Sequence, residues 1–550
     1  SLLRALCYGL FATGVLVAES GHATTLRSSD AGGRANRDVG HFLEIPASSV
    51  VEPVGCGRLA VMTGGESSKW WRSSVGYLIY LRSFADSTGD GIGDLVGINN
   101  HLDHLADLGV DLLWVTPFFP SPMADFGYDV ADYEEVASVY GSMADLDQLV
   151  ADVHAREMRL IIDLVPNHTS IEHPWFQQSR QGRENPLRSR YVWADPGPDG
   201  SAPNNWVSYF GGPAWTLDEL SGQYYLHLFL PEQPDLNWRD PTLVEEFDRI
   251  ITFWLDRGVD GFRIDVAQAL LKDIELRSNP QVRALDTTKH RDEQWAAFRH
   301  DHDVLQPGTQ EIFRRWKARC EQRNAFLVGE TYATDPSDYA RLMGDGGLDA
   351  GFWFKPLHME WDREVIEQSL RQPLDVLNDP SRIGWLTSSQ DLPRAPTRFG
   401  GGNHGRERSL LLNMLMFTLP GLPFLYQGEE LGLTDGVVAP QHRHDPVNSN
   451  VDAGRDGCRT PMPWQPGPSL GFSDSEEPWL PVGDRADSET VSSQRADNDS
   501  WLARYRQLVA LRRNEQVLSS DAAVEWLPTA ENQVLLFKRQ DIAVIANIGD

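Results

Sequence analysis

The sequence is poor in cysteine and in basic charge, and both shortages limit what the chain can be. Only 4 of its 550 residues are cysteine, and they are scattered without a CxxC pair. This argues against a disulfide framework and against a zinc site. Asp and Glu number 79 against 49 Lys and Arg, which gives a formal net charge of −30. Nucleic acids and anionic membranes attract basic surfaces, so we expect neither as a partner.

The sequence also lacks an apolar run long enough for a comfortable membrane span. The best candidate, LLRALCYGLFATGVLVAES, has one Arg and then a short apolar stretch near the start of the chain. Two interpretations stay open: a secretory leader with "GHA" near its cleavage point, or an irregular extension. Because Gly-, Ser- and Arg-rich sequence follows, residues 1–69 are predicted to be a leader-like or irregular N-terminal extension.

From Trp70 onward, short apolar segments rich in β-forming residues alternate with helical patterns. Helical periodicity is present in residues 244–257 and 309–322. Eight buried strands joined by crossovers predict an α/β fold, a (β/α)8 TIM barrel built from residues 70–165 and 236–515. The eight candidate strands are 76–82, 112–117, 159–165, 261–266, 326–330, 348–354, 383–389 and 422–428.

Two further units are predicted outside the barrel. The gap between the third and fourth strands is too long for a loop and is rich in Pro, Asn, Trp and Gly, so residues 166–235 are predicted to form an inserted subdomain. A helix over 500–515 closes the barrel. Three strand-like runs follow it, and residues 516–550 are predicted to be a partial C-terminal β domain, as if a longer sheet were truncated.

Acidic residues recur where the predicted barrel strands end. Asp265 ends the fourth strand, Glu330 ends the fifth and Asp391 follows the seventh, while Asp163 and His168 flank the end of the third. In such barrels, catalytic groups gather at the C-terminal ends of the strands. A salt bridge between loops explains any one of these residues well, but it explains poorly a whole set at matching strand ends.

Two carboxyl groups about 5 Å apart can cleave a glycosidic bond with retention of configuration. The attacking carboxylate must stay ionised, and Arg263, two residues before Asp265 on the same strand face, supplies a stabilising cation. The general acid must hold its proton near neutral pH, so we expect it in a drier and more anionic environment. Tyr128, Phe176 and Trp215 are predicted to crowd the same rim, where sugar rings can stack, although an aromatic residue more often belongs to the core.

Several motifs, in this order and at this spacing, resemble glycoside hydrolase family 13, the α-amylase family. The resemblance runs from about Trp70 to the end of the chain and favours the α-glucosidase and oligo-1,6-glucosidase branch. The four family signatures are resembled by DLVPNH (163–168), GFRIDV (261–266), VGET (328–331) and SSQD (388–391). The branch is indicated by QPDLNW (233–238), SPMADFGYDVADY, YQGEELGL and GRDGCRTPMPW.

The resemblance implies a role for each matching residue. Asp265 is expected to be the nucleophile, Glu330 the general acid/base and Asp391 the residue that holds the sugar hydroxyls and stabilises the transition state. A second set is expected to bind the terminal glucose: Asp163, His168 and Arg263 by ordering the −1 subsite, Tyr128 by stacking, and Asp125 with Arg455 by gripping the 4-hydroxyl. The last pair closes the pocket, which implies exo action from the non-reducing end.

One position departs from the family pattern. The residue before Asp391 is usually His in the family and is Gln390 here. Gln can hydrogen-bond a hydroxyl but cannot carry a positive charge, so we expect weaker transition-state binding without loss of activity.

The resemblance therefore predicts a retaining exo-α-glucosidase that acts on maltose, malto-oligosaccharides, isomaltose or sucrose-like substrates. The residue directly after the expected nucleophile, Val266, is similar to that of 1,6-acting members, yet the sequence "DVA" also occurs in 1,4-acting relatives. The prediction therefore slightly favours α-1,4 linkages. Two alternatives stay open. One is glucosyl transfer or sucrose isomerisation at the same site. The other is a non-catalytic barrel scaffold, which the presence of all three acidic residues disfavours.

The loop DSTGDGIGD (86–94) has the alternate oxygen-bearing residues of a calcium loop, and its glycines permit the turn. Its candidate ligands are Asp86, Thr88, Asp90, the Ile92 carbonyl and Asp94. The branch resembled often carries Ca²⁺ or Mg²⁺ here, which would be structural, and no catalytic cofactor is expected. An Asp/Gly turn without an ion is the alternative.

The expected partner is a small oligosaccharide substrate, with a monomer or a homodimer equally open. Relatives of this branch are mostly cytoplasmic and free of disulfides, and the isolated cysteines agree. The cytoplasm is therefore the preferred location, and secretion is the alternative if the N-terminal apolar run is a signal peptide.

Overall fold

The computed structural model describes residues 69–344, 346–447, 449 and 451–549, together with the backbone of residues 15–19. Most of the predicted extension 1–69 therefore lies outside the described residues. Its one described segment, Val15–Glu19, is a strand.

Fifteen strands are present among the described residues. They are β1 (Val15–Glu19), β2 (Gly76–Ile79), β3 (Leu112–Val115), β4 (Arg159–Leu164), β5 (Trp193–Ala194), β6 (Trp215–Asp218), β7 (Gln223–Leu226), β8 (Gly261–Ile264), β9 (Phe326–Gly329), β10 (Ala350–Phe352), β11 (Ile383–Trp385), β12 (Leu422–Tyr426), β13 (Glu525–Trp526), β14 (Val534–Arg539) and β15 (Ile542–Asn547).

The eight strands β2, β3, β4, β8, β9, β10, β11 and β12 pair in parallel in that order and close into a barrel. The (β/α)8 prediction is confirmed, and each predicted strand is present. The observed strands end earlier than predicted because the last residues of each segment leave the ladder to form the rim. β8 ends at Ile264, for example, so Asp265 and Val266 stand beyond it, with Val266 in the left-handed region at φ 48°.

Fourteen helices are present among the described residues. They are α1 (Leu95–Asn100), α2 (Leu102–Leu108), α3 (Met143–Ala155), α4 (Pro174–Ser179), α5 (Pro241–Asp256), α6 (Arg291–Trp295), α7 (Thr309–Glu321), α8 (Pro336–Met343), α9 (Lys355–His358), α10 (Arg363–Val376), α11 (Ala395–Arg398), α12 (Gly402–Thr418), α13 (Val491–Arg495) and α14 (Trp501–Asn514). In the described part of the chain, no helix combines the length and the apolar character that crossing a bilayer demands.

The helix α5 shows how the sequence sets these elements. Asp240 caps its first turn by accepting a hydrogen bond from the Thr242 amide, and Pro241 occupies the first helical position, where a missing N–H costs nothing. Its apolar stripe, which includes Phe247, Ile251 and Trp254, is buried toward the barrel. Burial of this stripe fixes the helix, and with it the direction in which the chain enters β8.

Two smaller sheets lie outside the barrel. Between β4 and α5, the strands β5, β7 and β6 form an antiparallel sheet in that order. At the C-terminal end, β13, β14 and β15 form an antiparallel sheet, and β1 pairs antiparallel with β15. A C-terminal sheet is therefore present as predicted, with a strand from the N-terminal extension added to it.

Candidate active site

A single guanidinium organises the carboxyl groups at the barrel rim. Arg263 donates Nη1 to Asp163 Oδ1 at 2.7 Å and to Asp265 Oδ1 at 2.6 Å, and its Nη2 lies 2.7 Å from Glu330 Oε1. The ladder brings them together, because Asp163 pairs with Arg263 in register across β4 and β8. Glu330 also accepts a hydrogen bond from the Val266 amide at 3.0 Å.

Burial of this cluster favours the protonated forms of its acids. Burial raises the pKa of Asp163 to about 6, with Arg263 opposing the shift. Burial also raises the pKa of Asp265 and that of Glu330, again against Arg263, and the negative charge of Asp391 adds to the rise for Glu330. Arg263 is one cation among three buried acids, so its charge does not offset the full negative charge of the ionised cluster.

Beneath the cavity, a chain of hydrogen bonds supports Asp163. Its Oδ2 accepts from Trp114 Nε1 at 3.0 Å and from the Tyr128 hydroxyl at 3.1 Å. The Tyr128 hydroxyl in turn accepts from Gln390 Nε2 at 2.9 Å. Gln390 is fully buried and does not line the cavity, so its donor group serves Tyr128 and does not reach a bound sugar directly.

A second ion cluster joins residues of the prediction that are far apart in the sequence. Arg455 donates Nη2 to Asp125 Oδ1 at 2.7 Å and Nη1 to Asp391 Oδ1 at 3.3 Å. Asp445 Oδ1 lies 2.8 Å from Nη2 of the same Arg455 guanidinium, and Arg459 Nη2 lies 3.1 Å from Asp391 Oδ1. Asp391 itself stays about one-third exposed, so its carboxylate can reach a ligand.

The ring of His168 lies beside Tyr128 and Asn167. Its Nε2 is 3.2 Å from the Tyr128 carbonyl, and its Nδ1 is 3.1 Å from Asn167 Nδ2. Burial lowers the pKa of His168 to about 4. The ring is therefore neutral near neutral pH.

These groups surround a cavity of about 620 Å³, counted with its open mouth. Seven of the predicted residues line it: Asp125, Tyr128, His168, Asp265, Glu330, Asp391 and Arg455. Asp163, Arg263 and Gln390 lie behind this wall and act on it through the hydrogen bonds described above.

Sequence reasoning missed much of the cavity wall. The missed residues are Tyr209, Phe210, Phe229, Gln268, Arg291 and Tyr332, and Val266, which also lines the cavity, was named only for linkage preference. Gln268 and Tyr332 follow Asp265 and Glu330 by two or three positions, so the strand-end rule could have found them. Tyr209, Phe210 and Phe229 come from the segment inserted after β4, where only the abundance of aromatic residues gave a signal.

Two predicted rim aromatics lie elsewhere. Phe176 is fully buried and stacks on Trp193 with ring centroids 5.5 Å apart, and Trp215 packs against Trp206. Both belong to packing around the inserted sheet, so the expectation that they crowd the rim was wrong. Both side chains pack against neighbouring aromatic rings and do not line the cavity.

The predicted metal loop is held by its own hydrogen bonds. Asp86 accepts from the amides of Thr88, Gly89 and Gly91, and Asp94 caps α1 by accepting from the Gly97 amide at 2.6 Å. Among the described residues, no group of three or more His, Cys, Asp or Glu side chains comes together as a metal site. Calcium or magnesium at this loop stays a prediction.

Comparison with known proteins agrees with this geometry. The "Alpha amylase, catalytic domain" family matches residues 78–521, and the chain belongs to the α-amylase family of glycoside hydrolases. It is 40% identical over 478 residues to a probable alpha-glucosidase of Rhizobium meliloti (strain 1021), covering 84% of this chain and 85% of that protein. It is 36% identical over 526 residues to an oligo-1,6-glucosidase of Halalkalibacterium halodurans, covering 88% and 91%.

Solved structures extend the comparison. The alpha-glucosyl transfer enzyme XgtA superposes with a TM-score of 0.82 at 39% identity, covering 87% of this chain and 91% of that one. The trehalulose synthase MutB superposes with a TM-score of 0.78 at 30% identity, covering 87% and 91%. Hydrolases and glucosyl-transferring enzymes thus share this architecture.

Proposed function

We propose that the protein is a retaining, exo-acting α-glucosidase that releases glucose from the non-reducing ends of α-glucosides. The observation that carries the proposal is the bridging of Asp265 and Glu330 by the two terminal nitrogens of Arg263 at the wall of the cavity. Retaining glycosidases need two carboxyl groups close together, one ionised and one protonated. Both similar curated proteins described above are named glucosidases, which supports the same reading.

In the first step, an Asp265 oxygen attacks the anomeric carbon as the bond from that carbon to the leaving oxygen breaks. Glu330 gives its proton to the leaving oxygen, so the aglycone departs as a neutral alcohol. Arg263 opposes the rise that burial gives to the pKa of Asp265 and so favours the ionised form needed for attack, while burial and the nearby Asp391 charge raise the pKa of Glu330.

In the second step, Glu330 takes a proton from a water molecule, and the water oxygen bonds to the anomeric carbon. The bond to Asp265 breaks, and glucose leaves with its configuration retained. Asp391 is placed at the exposed side of the cavity, where its carboxylate can hold sugar hydroxyls in both steps.

Exo action follows from the ion pair between Arg455 and Asp125. The two residues line the cavity with their charged atoms 2.7 Å apart, and Asp445 also pairs with Arg455. In the proposal this pair blocks a longer glucan chain, so that a terminal glucose is bound. Charged groups at the wall suit the hydroxyls of that residue.

The proposal is tested with p-nitrophenyl α-glucoside and with maltose and isomaltose. Wild type is expected to cleave the aryl glucoside, and Asp265→Asn to lose roughly 10⁴-fold or more in kcat. Asp541→Asn, at an exposed turn of the C-terminal sheet, is the matched control and is expected to keep wild-type activity. No cleavage by wild type at any pH would favour a non-catalytic scaffold.

Glucosyl transfer is a second candidate, because XgtA is an alpha-glucosyl transfer enzyme. The two activities share the covalent intermediate and differ only in whether water or a sugar takes the glucosyl group. Product analysis at high maltose concentration separates them: free glucose alone supports hydrolysis, and longer or isomeric sugars support transfer.

A further inference from the structure

Val266 has an unusual backbone conformation directly after the proposed nucleophile. Its φ is 48° and its ψ is 45°, which places a β-branched residue in the left-handed region. For valine this conformation is an outlier, and backbone strain of this kind concentrates at functional sites. The side chain is 3% exposed and belongs to an apolar cluster with Leu226, Leu228 and Val304, so its burial offsets part of the strain. What the strained turn achieves is shown by the contacts of its main chain.

The turn directs two successive amides at Glu330. The N–H of Val266 donates to the carboxyl Oε2 at 3.0 Å, and the N–H of Ala267 donates to the main-chain carbonyl of Glu330, also at 3.0 Å. The Glu330 amide in turn donates to the Ile264 carbonyl at 2.9 Å. Two of these bonds fix the main chain of residue 330, and the third fixes its side chain.

Donors approach both oxygens of the Glu330 carboxyl group. Arg263 Nη2 lies 2.7 Å from Oε1, and the Val266 N–H bonds to Oε2. The side chain of Glu330 is 10% exposed, so this hydrogen bond is largely shielded from water, where it is stronger. A donor to a carboxylate favours its ionised form. Burial raises the pKa of Glu330, and the hydrogen bond from the Val266 amide opposes that rise.

We propose that Val266 is a positioning residue whose left-handed turn aims its backbone N–H at Oε2 of Glu330, so that the carboxyl group keeps one orientation for proton transfer in both steps. The role of Glu330 as acid and base rests on the proposed function, whereas the hydrogen bond itself does not. An amide with a structural role alone would contribute to the stability of the turn and would not affect the proton transfers of Glu330.

Replacing Val266 by α-hydroxyvaline, through suppression of a stop codon, exchanges the N–H for an ester oxygen and keeps the side chain. The ester removes a donor to the ionised carboxylate, so the pKa of Glu330 rises. The basic limb of kcat/KM for p-nitrophenyl α-glucoside should therefore move to higher pH. We also expect kcat to fall roughly 10-fold at the pH optimum, with KM little changed. A basic limb that stays in place or moves to lower pH would overturn the proposal.

Ala267 offers a matched control in the same turn. Its replacement by lactic acid removes the N–H that bonds to the main-chain carbonyl of Glu330, so one backbone hydrogen bond is again lost while the carboxyl group keeps both donors. Both esters are expected to lower Tm by similar amounts. Only the Val266 ester should shift the basic limb, and the Ala267 ester should keep kcat within about threefold of wild type. Equal shifts and equal kinetic losses in the two esters would reduce Val266 to a structural role.

The hydrogen bond is also measured with the natural backbone, by ¹H–¹⁵N spectra of valine-labelled protein in which the Val266 signal is assigned from its loss in Val266→Ile. Its amide proton should move downfield as Glu330 ionises, because a hydrogen bond to a charged acceptor is shorter and stronger. This titration should vanish in Glu330→Gln. A Val266 amide that does not respond to Glu330 would overturn the proposal even if neither ester folds. Cleavage of no glucoside by wild type would defeat the proposed function and leave these spectra as the test of the contact.

Discussion

Arg263 lies in β8 and Asp265 directly follows the end of that strand, and the guanidinium of Arg263 lies 2.6 Å from the carboxylate of Asp265. Both side chains are buried, where an unpaired charge is strongly unfavourable. The pair explains why charged residues interrupt an apolar strand. The guanidinium also reaches Asp163 and Glu330 through separate bonds, so it fixes the relative positions of three acids.

A lysine at position 263 cannot reproduce this geometry. An ammonium is a compact point charge and does not offer the planar, two-pronged donor set of a guanidinium. We expect Arg263→Lys to lower kcat/KM for p-nitrophenyl α-glucoside by about 100-fold. Arg299→Lys, at an exposed ion pair, is the matched control and should keep full activity. Activity within a factor of three of wild type would show that charge alone is enough.

The pH profile should report the proton on Glu330. The acid works while protonated, so kcat/KM falls as the pH rises through its pKa. The negative charge of Asp391 raises that pKa. In Asp391→Asn the pKa is therefore lower, and the basic limb of the residual kcat/KM profile should move to lower pH. A basic limb that stays in place or moves upward would remove Asp391 from the electrostatics of Glu330.

Gln390 and Tyr128 should behave as one unit. The hydrogen bond between them is 2.9 Å long and buried, and it supports Asp163. We expect Gln390→Leu and Tyr128→Phe each to lower kcat/KM, and the double variant to lose less than the product of the two factors. Strictly multiplicative losses would mean that Gln390 acts independently of Tyr128.

Gly261 is a requirement of the fold. Its φ is +148°, and a Cβ built there would lie 1.9 Å from the Phe326 carbonyl oxygen of the adjoining strand. Gly261→Ala is expected to destabilise the protein by roughly 3–5 kcal/mol, read as a lower Tm or a loss of soluble protein. Gly200→Ala, at φ +80° with open space around it, should cost only about 1–2 kcal/mol. Equal Tm values for the two variants would contradict the packing of β8 against β9.

The parts of the structure that the sequence predicts are those with local signals. Buried parallel strands are short apolar runs, and all eight were recognisable. The rim carboxyls follow because strand ends converge in a closed barrel. Tyr209, Phe210 and Phe229 were missed because their place depends on how the inserted segment folds over the barrel, which no local pattern encodes. Gln390 was predicted to bind substrate, but its buried amide donates to Tyr128, a partner 262 residues away in the sequence that no local pattern reveals.

The most direct test of the central claim is to trap the covalent intermediate. Glu330→Gln cannot supply the acid or the base, so a glucosyl donor with a reactive leaving group should load Asp265 and unload slowly. Peptide mass mapping after incubation with p-nitrophenyl α-glucoside or α-glucosyl fluoride is expected to find one hexosyl group, on Asp265. A hexosyl group on another residue, or none at any time while aglycone is released, would contradict the account.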